Sequence, residues 1–167
     1  MELPGNVSKS ALLERVKRIR EGAIDNKSVV PHRVMGCIED CITMLDSDGA
    51  NADKLYSAAN KILVWYYDKG SKDIPLHVEM FNLTLSVVKM LDAQRSLVKI
   101  RKLLSEPDAP AAMSRIVDLL ESLITAFGKD GRIDKRRYDD FAPRLRALAE
   151  ANRSYLENHV DRVIFTV

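Results

Sequence analysis

The sequence has few glycines, prolines and aromatic residues, and this shortage argues against several fold classes. Seven glycines, six prolines and 6% aromatic residues occur among 167 residues, and the glycines are scattered. Sheets are enriched in aromatic and β-branched residues, and phosphate-binding loops need clustered glycines. Leu, Ala, Lys, Arg, Asp and Glu are abundant instead, and this balance favours helices. The composition predicts an all-α fold.

Cysteine is also scarce. The two cysteines, Cys37 and Cys41, are four residues apart on a predicted helix and therefore share a face. That spacing is poorly placed for a disulfide. A zinc site would need two further ligands, and His32 is the only nearby candidate. We therefore predict that both thiols are core residues and expect no metal and no cofactor.

The chain lacks a strong charge of either sign and a long apolar run. Its net charge is +2, from 26 basic and 24 acidic residues. Nucleic-acid binding usually accompanies a strongly basic domain, so nucleic acid is not the favoured partner. No apolar run approaches the roughly 20 residues that span a bilayer. The opening "MELPGNVSKS" lacks the apolar region of a secretory signal. We expect a cytoplasmic protein without a membrane span.

Apolar periodicity predicts a bundle of five or six helices in a single domain, residues 1–167. The longest helix is expected at about 75–105, with Asp73 as its cap and Pro75 in its first turn. Apolar residues nearly all round this segment predict a central helix that the others surround. "EPDAPAA" is the clearest break, and it predicts a hinge between two lobes near 106–111.

One segment of the central helix has a competing pattern. "FNLTLSV", residues 81–87, alternates strictly between apolar and polar side chains, which is a strand signal. Met80, Leu83, Val87 and Leu91 nevertheless recur at helical spacing, and no turn residues bound the segment. The only partner strand on offer is the terminal "VIFTV". We predict a helix.

Near the C-terminus, "ANRSYLENHV" places Arg153 six residues before His159. An arginine followed at four to six residues by a histidine on a helix resembles the signature of the HEPN family of small all-helical nucleases. The resemblance implies RNA cleavage, with histidine as general acid or base and arginine stabilising phosphate charge. The family often has Asn after the arginine, where this chain has Ser154. His159 also lies at helical spacing from Tyr155, which fits a place at the edge of the core.

A second resemblance covers residues from about 38 to 91. "LD" at 45–46, "LY" at 55–56 and Asp73 stand at places comparable to those in bacterial flagellin-export chaperones, which are helical bundles. The spacing before "LY" is shorter here, and the last 60 residues have no counterpart. The resemblance implies a helical protein-binding module.

Two further sets of residues are candidates for binding. The only aromatic cluster and the apolar C-terminus supply candidates for contacts with a protein partner: Trp65, Tyr67, Phe165 and Val167. A set of basic side chains at helical spacing is either a candidate basic patch or an ordinary solvated helix face: Arg95, Lys99, Arg101 and Lys102.

From these features we predict a non-enzymatic adaptor, chaperone or regulatory subunit that presents an apolar helical face or groove to another protein. A homodimer would be one way to cover such a face. The alternative is a HEPN-like RNA nuclease or nucleic-acid-binding protein that uses Arg153, His159 and nearby basic residues.

Overall fold

The structure, a computed structural model, describes residues 7–26, 32–46 and 49–160. Within these ranges the chain forms seven α-helices packed together and no strand, which confirms the all-α prediction. The described ranges contain one helix more than the predicted maximum of six, because the C-terminal helix is divided at Asn152. In chain order the helices are α1 (Lys9–Asn26), α2 (His32–Thr43), α3 (Ala52–Lys69), α4 (Pro75–Leu103), α5 (Ala112–Ile124), α6 (Lys135–Ala151) and α7 (Arg153–His159).

The predicted central helix is α4, which has 29 residues and is about 44 Å long. It packs against α3, α5 and α1, and most of its side chains are buried. Neighbouring helices cover α4 from several directions, which explains why apolar residues occur on nearly all of its sides.

The segment 81–87 is helical, as predicted. Thr84 and Ser86 are buried polar residues there, and each hydroxyl donates a hydrogen bond to a carbonyl four residues earlier. Thr84 Oγ1 lies 2.8 Å from Met80 O, and Ser86 Oγ lies 2.9 Å from Asn82 O. These bonds satisfy the hydroxyls within the helix, so the alternating polar side chains can be buried without a sheet.

The starts of α6 and α4 differ in how they are capped. Asp134 caps α6, since its side chain accepts a hydrogen bond from the Arg137 N–H at 3.3 Å. Pro75 is in the first turn of α4, as predicted. The expected cap by Asp73 is wrong: Ile74 is the N-cap of α4 and provides no side-chain hydrogen bond.

The turn between α5 and α6 is held by an isolated antiparallel bridge between Phe127 and Ile133. Gly131 lies in this turn with φ of 80°, a left-handed conformation that glycine adopts without strain. After the turn, α6 continues through Pro143 without ending. Pro143 is exposed, so the carbonyl that loses its helical partner can be hydrated.

Buried apolar residues from all the helices form one core cluster, and α4 and α5 pack together across the turn that contains the predicted hinge at 106–111.

Of the two cysteines, Cys41 is buried and Cys37 is exposed, so the core prediction holds for Cys41 and is wrong for Cys37. None of the helices in the described part of the chain combines the length and the apolar character that crossing a membrane requires.

Candidate functional site

Helices α3 and α4 lie side by side and are joined by a short turn. The turn is fixed to α4 because the Ser71 N–H donates a hydrogen bond to Nδ1 of the buried His77 at 2.9 Å. Beyond the turn, Tyr67 of α3 meets Phe81 of α4 edge to face, with ring centroids 5.2 Å apart. The pairing of the two helices thus brings two aromatic side chains together at the surface.

Three of the five large apolar side chains that are exposed in the described ranges lie around this contact. Tyr67 is 69% exposed, Val64 48% and Val78 39%. Val64 is one helical turn from Tyr67, and Val78 is one turn from Phe81, so each pair shares a side of its helix. The half-buried Leu85 continues the row on α4. We call this surface the α3–α4 face: Val64, Tyr67, Val78, Phe81 and Leu85.

The two predicted aromatic candidates are placed differently. Tyr67 is on the α3–α4 face. Trp65 is half-buried, and its ring packs edge-on against Tyr66 at 4.9 Å and near His77 at 6.2 Å. Two residues apart on a helix means about 200° apart around its axis, so Trp65 and Tyr67 point in different directions. Trp65 contributes to packing at the α3–α4 corner.

The sequence alone does not identify Val64, Val78 and Phe81 as surface residues. A signal was present: Val64 and Tyr67 precede the Gly70 turn at a spacing of three, and Val78 and Phe81 follow it at the same spacing. In a pair of adjacent antiparallel helices, residues at similar distances from the turn are neighbours. The sequence does not show which side of each helix faces the core. The same spacing would therefore be expected of apolar residues buried in the core.

The four residues of the predicted basic patch do not form one exposed cationic surface. The Arg95 side chain is only 7% exposed and bonds to Asp92. Lys99 pairs with Asp53 at 3.0 Å. Of the two remaining residues, Arg101 pairs with Glu121 at 2.6 Å, and Lys102 is exposed.

A buried charged group in the middle of α4 was also missed. Asp92 is fully buried, and Arg95 covers the ring of Tyr56 with its guanidinium carbon 4.0 Å from the ring centroid. Asp53 on α3 lies 3.6 Å from the same guanidinium. These contacts link α3 to α4 through charge, and they explain why "DAQRS" interrupts an otherwise apolar helix.

The nuclease candidates lie on α7. Arg153 is held by two carboxylates: its Nε lies 2.8 Å from Glu157 Oε1 and its Nη1 lies 3.4 Å from Glu150 Oε1. These hydrogen bonds and charges raise the pKa of Arg153. His159 stacks on Tyr155 with centroids 4.0 Å apart, and its Nε2 lies 3.6 Å from Asp108 Oδ2.

Phe165 and Val167, the other predicted partner-binding residues, lie outside the described residues. Within the described ranges, no three His, Cys, Asp or Glu side chains are grouped as a metal site would require.

No protein-family model, no curated protein and no solved structure matches this chain. The side chains of the α3–α4 face and their exposure are therefore the basis on which a function can be argued.

Proposed function

We propose that this protein is a non-enzymatic binding module that uses the α3–α4 face to hold an amphipathic helix of a separate protein. It would act as an adaptor, chaperone or regulatory subunit, since binding is the only activity this surface requires. The observation that carries the proposal is the position of Tyr67, a residue that is 69% exposed while its ring packs edge to face against Phe81.

Tyrosine is among the residues that contribute most to protein interfaces, because a rigid ring offers a large apolar area with a polar tip. The contact with Phe81 restricts the ring before a partner arrives, which reduces the entropy lost on binding. Val64 and Val78 add apolar area on either side of it. Exposed apolar residues that are grouped in this way mark interaction surfaces more often than residues exposed singly.

The dimensions of the face indicate the kind of partner. From Val78 to Leu85 the face extends about 10 Å along α4, or two helical turns. A partner helix of two to three turns, with apolar residues at spacings of three and four, would cover it. So small a contact is typical of transient complexes and is too small for an obligate dimer.

Site-specific photocrosslinking tests the proposal. The photoreactive residue p-benzoylphenylalanine replaces Tyr67 in one sample of the full chain and Leu104 in a control. Leu104, the C-cap of α4, is 45% exposed, so it offers another exposed apolar position at the far end of the helix, away from the α3–α4 face. We expect a discrete crosslinked protein in native lysate from position 67 and none from position 104.

A synthetic peptide from the crosslinked segment then provides the quantitative test. It should bind the wild-type chain and lose at least about tenfold in affinity for Val64→Asp, because a carboxylate would be buried against apolar groups. Equal binding to Val64→Asp and wild type would contradict the proposal. A dimer that dissociates on Tyr67→Glu would identify a second copy as the occupant and overturn the assignment of a separate partner.

A further inference from the structure

A cleft of about 1010 Å³ lies on a part of the surface separate from the α3–α4 face. One wall is formed by α1, the opposite wall by the first two turns of α4, and the turn at 129–132 closes one side. Sites for small molecules in proteins have volumes of roughly 300–1,000 Å³. The cleft therefore has room for a metabolite-sized ligand.

Cationic side chains enter the cleft from two elements. Arg15 and Arg18 come from α1, and Lys129 and Arg132 come from the turn. Three carboxylates also line it, and two of these are each engaged by an arginine. Arg18 lies 3.7 Å from Glu14, and Arg132 lies 3.3 Å from Asp130. With Glu79 as the third carboxylate, the lining has four positive and three negative groups.

Arg15 differs from the other three cationic groups of the cleft because it is half-buried, whereas Arg18, Lys129 and Arg132 are exposed. This burial lowers the pKa of its guanidinium, while the charges of Asp130 and Glu79 raise it. It forms no salt bridge with any residue in the described ranges; its Nη1 donates a hydrogen bond to the backbone carbonyl of Asp130 at 3.1 Å. A partly desolvated guanidinium that keeps several free N–H groups is favourable for an anion, which would restore the lost solvation.

The position of Arg15 is fixed by the surrounding packing. Its neighbours Leu12 and Val16 on α1 are fully buried, so the helix cannot rotate. The Asp130 carbonyl, which accepts the hydrogen bond from Arg15, belongs to a hydrogen-bonded turn. In this turn the Gly128 N–H donates a hydrogen bond to Arg132 O at 2.8 Å. A guanidinium held at a fixed place meets the geometric demand of a forked, two-bond contact with an oxyanion.

We propose that this cleft binds a small molecule that carries an oxyanion, either phosphate or carboxylate, with Arg15 as the central ligand. The Arg18 and Arg132 side chains are 75% and 72% exposed and lie at the rim, so exchanging their present carboxylate partners for the ligand costs little free energy. This activity is independent of the α3–α4 face, so either can fail without the other.

Isothermal titration calorimetry on the full chain tests the proposal, with sodium pyrophosphate and sodium citrate as separate probes at matched ionic strength. The variants are Arg15→Gln, Arg15→Lys and Arg18→Gln. The control is Arg144→Gln, an exposed arginine on α6 that is paired with Asp140 and lies outside the cleft. Circular dichroism verifies that each variant is folded.

We expect saturable binding of at least one probe by the wild type, about tenfold weaker binding by Arg15→Gln, and unchanged binding by Arg144→Gln. Arg15→Lys should also weaken binding, because an ammonium cannot supply the fork. The exposed Arg18 supplies the test should Arg15→Gln fail to fold: Arg18→Gln must then bind more weakly than Arg144→Gln. No saturable binding of either probe, or equal weakening in the control, would overturn the proposal.

Discussion

Nε and Nη2 of Arg95 both lie 2.8 Å from Oδ1 of Asp92, in the interior of the bundle, where the two side chains are 7% and 0% exposed. Each charge offsets part of the free energy that burying the other costs. Asp53 and the ring of Tyr56 also contact this arginine, but neither replaces a carboxylate at 2.8 Å.

The first prediction follows from this pair. Asp92→Ala should lower the free energy of unfolding by about 3 kcal/mol or more, because it leaves a buried arginine without its principal counter-ion. Urea denaturation measures the change. Glu121→Ala is the matched control: it breaks a surface pair with Arg101 and should cost at most about 1 kcal/mol. Equal losses in the two variants would show that Asp92 contributes no more than a surface carboxylate.

The hydroxyl of Tyr66 leads to a prediction of the opposite sign. Tyr66 is buried, and its hydroxyl has no hydrogen-bond partner among the described residues. Tyr66→Phe should therefore leave the free energy of unfolding unchanged or raise it by up to about 1 kcal/mol, since no bond is lost and a polar group is no longer desolvated. Thermal denaturation measures this, with the exposed Tyr67→Phe as control. A clear loss of stability in Tyr66→Phe alone would reveal a partner for the hydroxyl.

Tyr138 gives a prediction for alkaline pH. Burial raises its pKa from 10.0 to about 12. Between these values the unfolded chain releases the phenol proton and the folded chain retains it, so the free energy of unfolding falls as pH rises. Urea midpoints measured from pH 9 to 11.5 should decline, and the decline should be less steep in Tyr138→Phe. Identical slopes in the two proteins would show that Tyr138 titrates normally in the fold.

The helical architecture could be predicted because its signals are local. Pro75 in a first turn and the spacing of Met80, Leu83 and Val87 each act within a few residues. The local pattern at 81–87 was ambiguous only because it did not reveal that Thr84 and Ser86 bond to their own helix.

The sites were harder to predict because they depend on which side of each helix faces a neighbour. Arg95 and Lys99 have the spacing of a surface patch, and only the approach of α3 places Asp53 beside both. The cleft around Arg15 joins α1 to a turn more than a hundred residues away, where the carbonyl of Asp130 is its partner. No spacing in the sequence records such contacts.

The two cysteines should react at different rates. Cys37 is exposed and Cys41 is buried. The pKa of Cys41 is raised, mainly by this burial and to a smaller extent by the charge of Cys37. Because the thiolate is the reactive form, Ellman's reagent should modify one thiol quickly and the other slowly. Cys37→Ser should remove the fast phase and Cys41→Ser the slow one. Two equally fast phases would mean that α2 opens readily in solution.

The last prediction concerns the nuclease hypothesis. The wild-type chain should not cleave single-stranded RNA, because the geometry of α7 is unsuited to it. Arg153 and His159 are six residues apart, which places them about 120° apart around a helix. Glu150 and Glu157 flank the guanidinium of Arg153 and would repel a phosphate. The imidazole of His159 is stacked on Tyr155.

A quenched fluorescent RNA and highly purified protein provide the measurement, with Arg153→Ala and His159→Ala prepared in parallel to detect contaminating nuclease. Any residual cleavage should be the same in all three preparations. His159→Ala should lower the melting temperature only slightly, because its contacts with Tyr155 and Asp108 are at the surface. Cleavage that disappears in both variants, while their circular dichroism matches the wild type, would establish the nuclease and reverse our preference for a binding module.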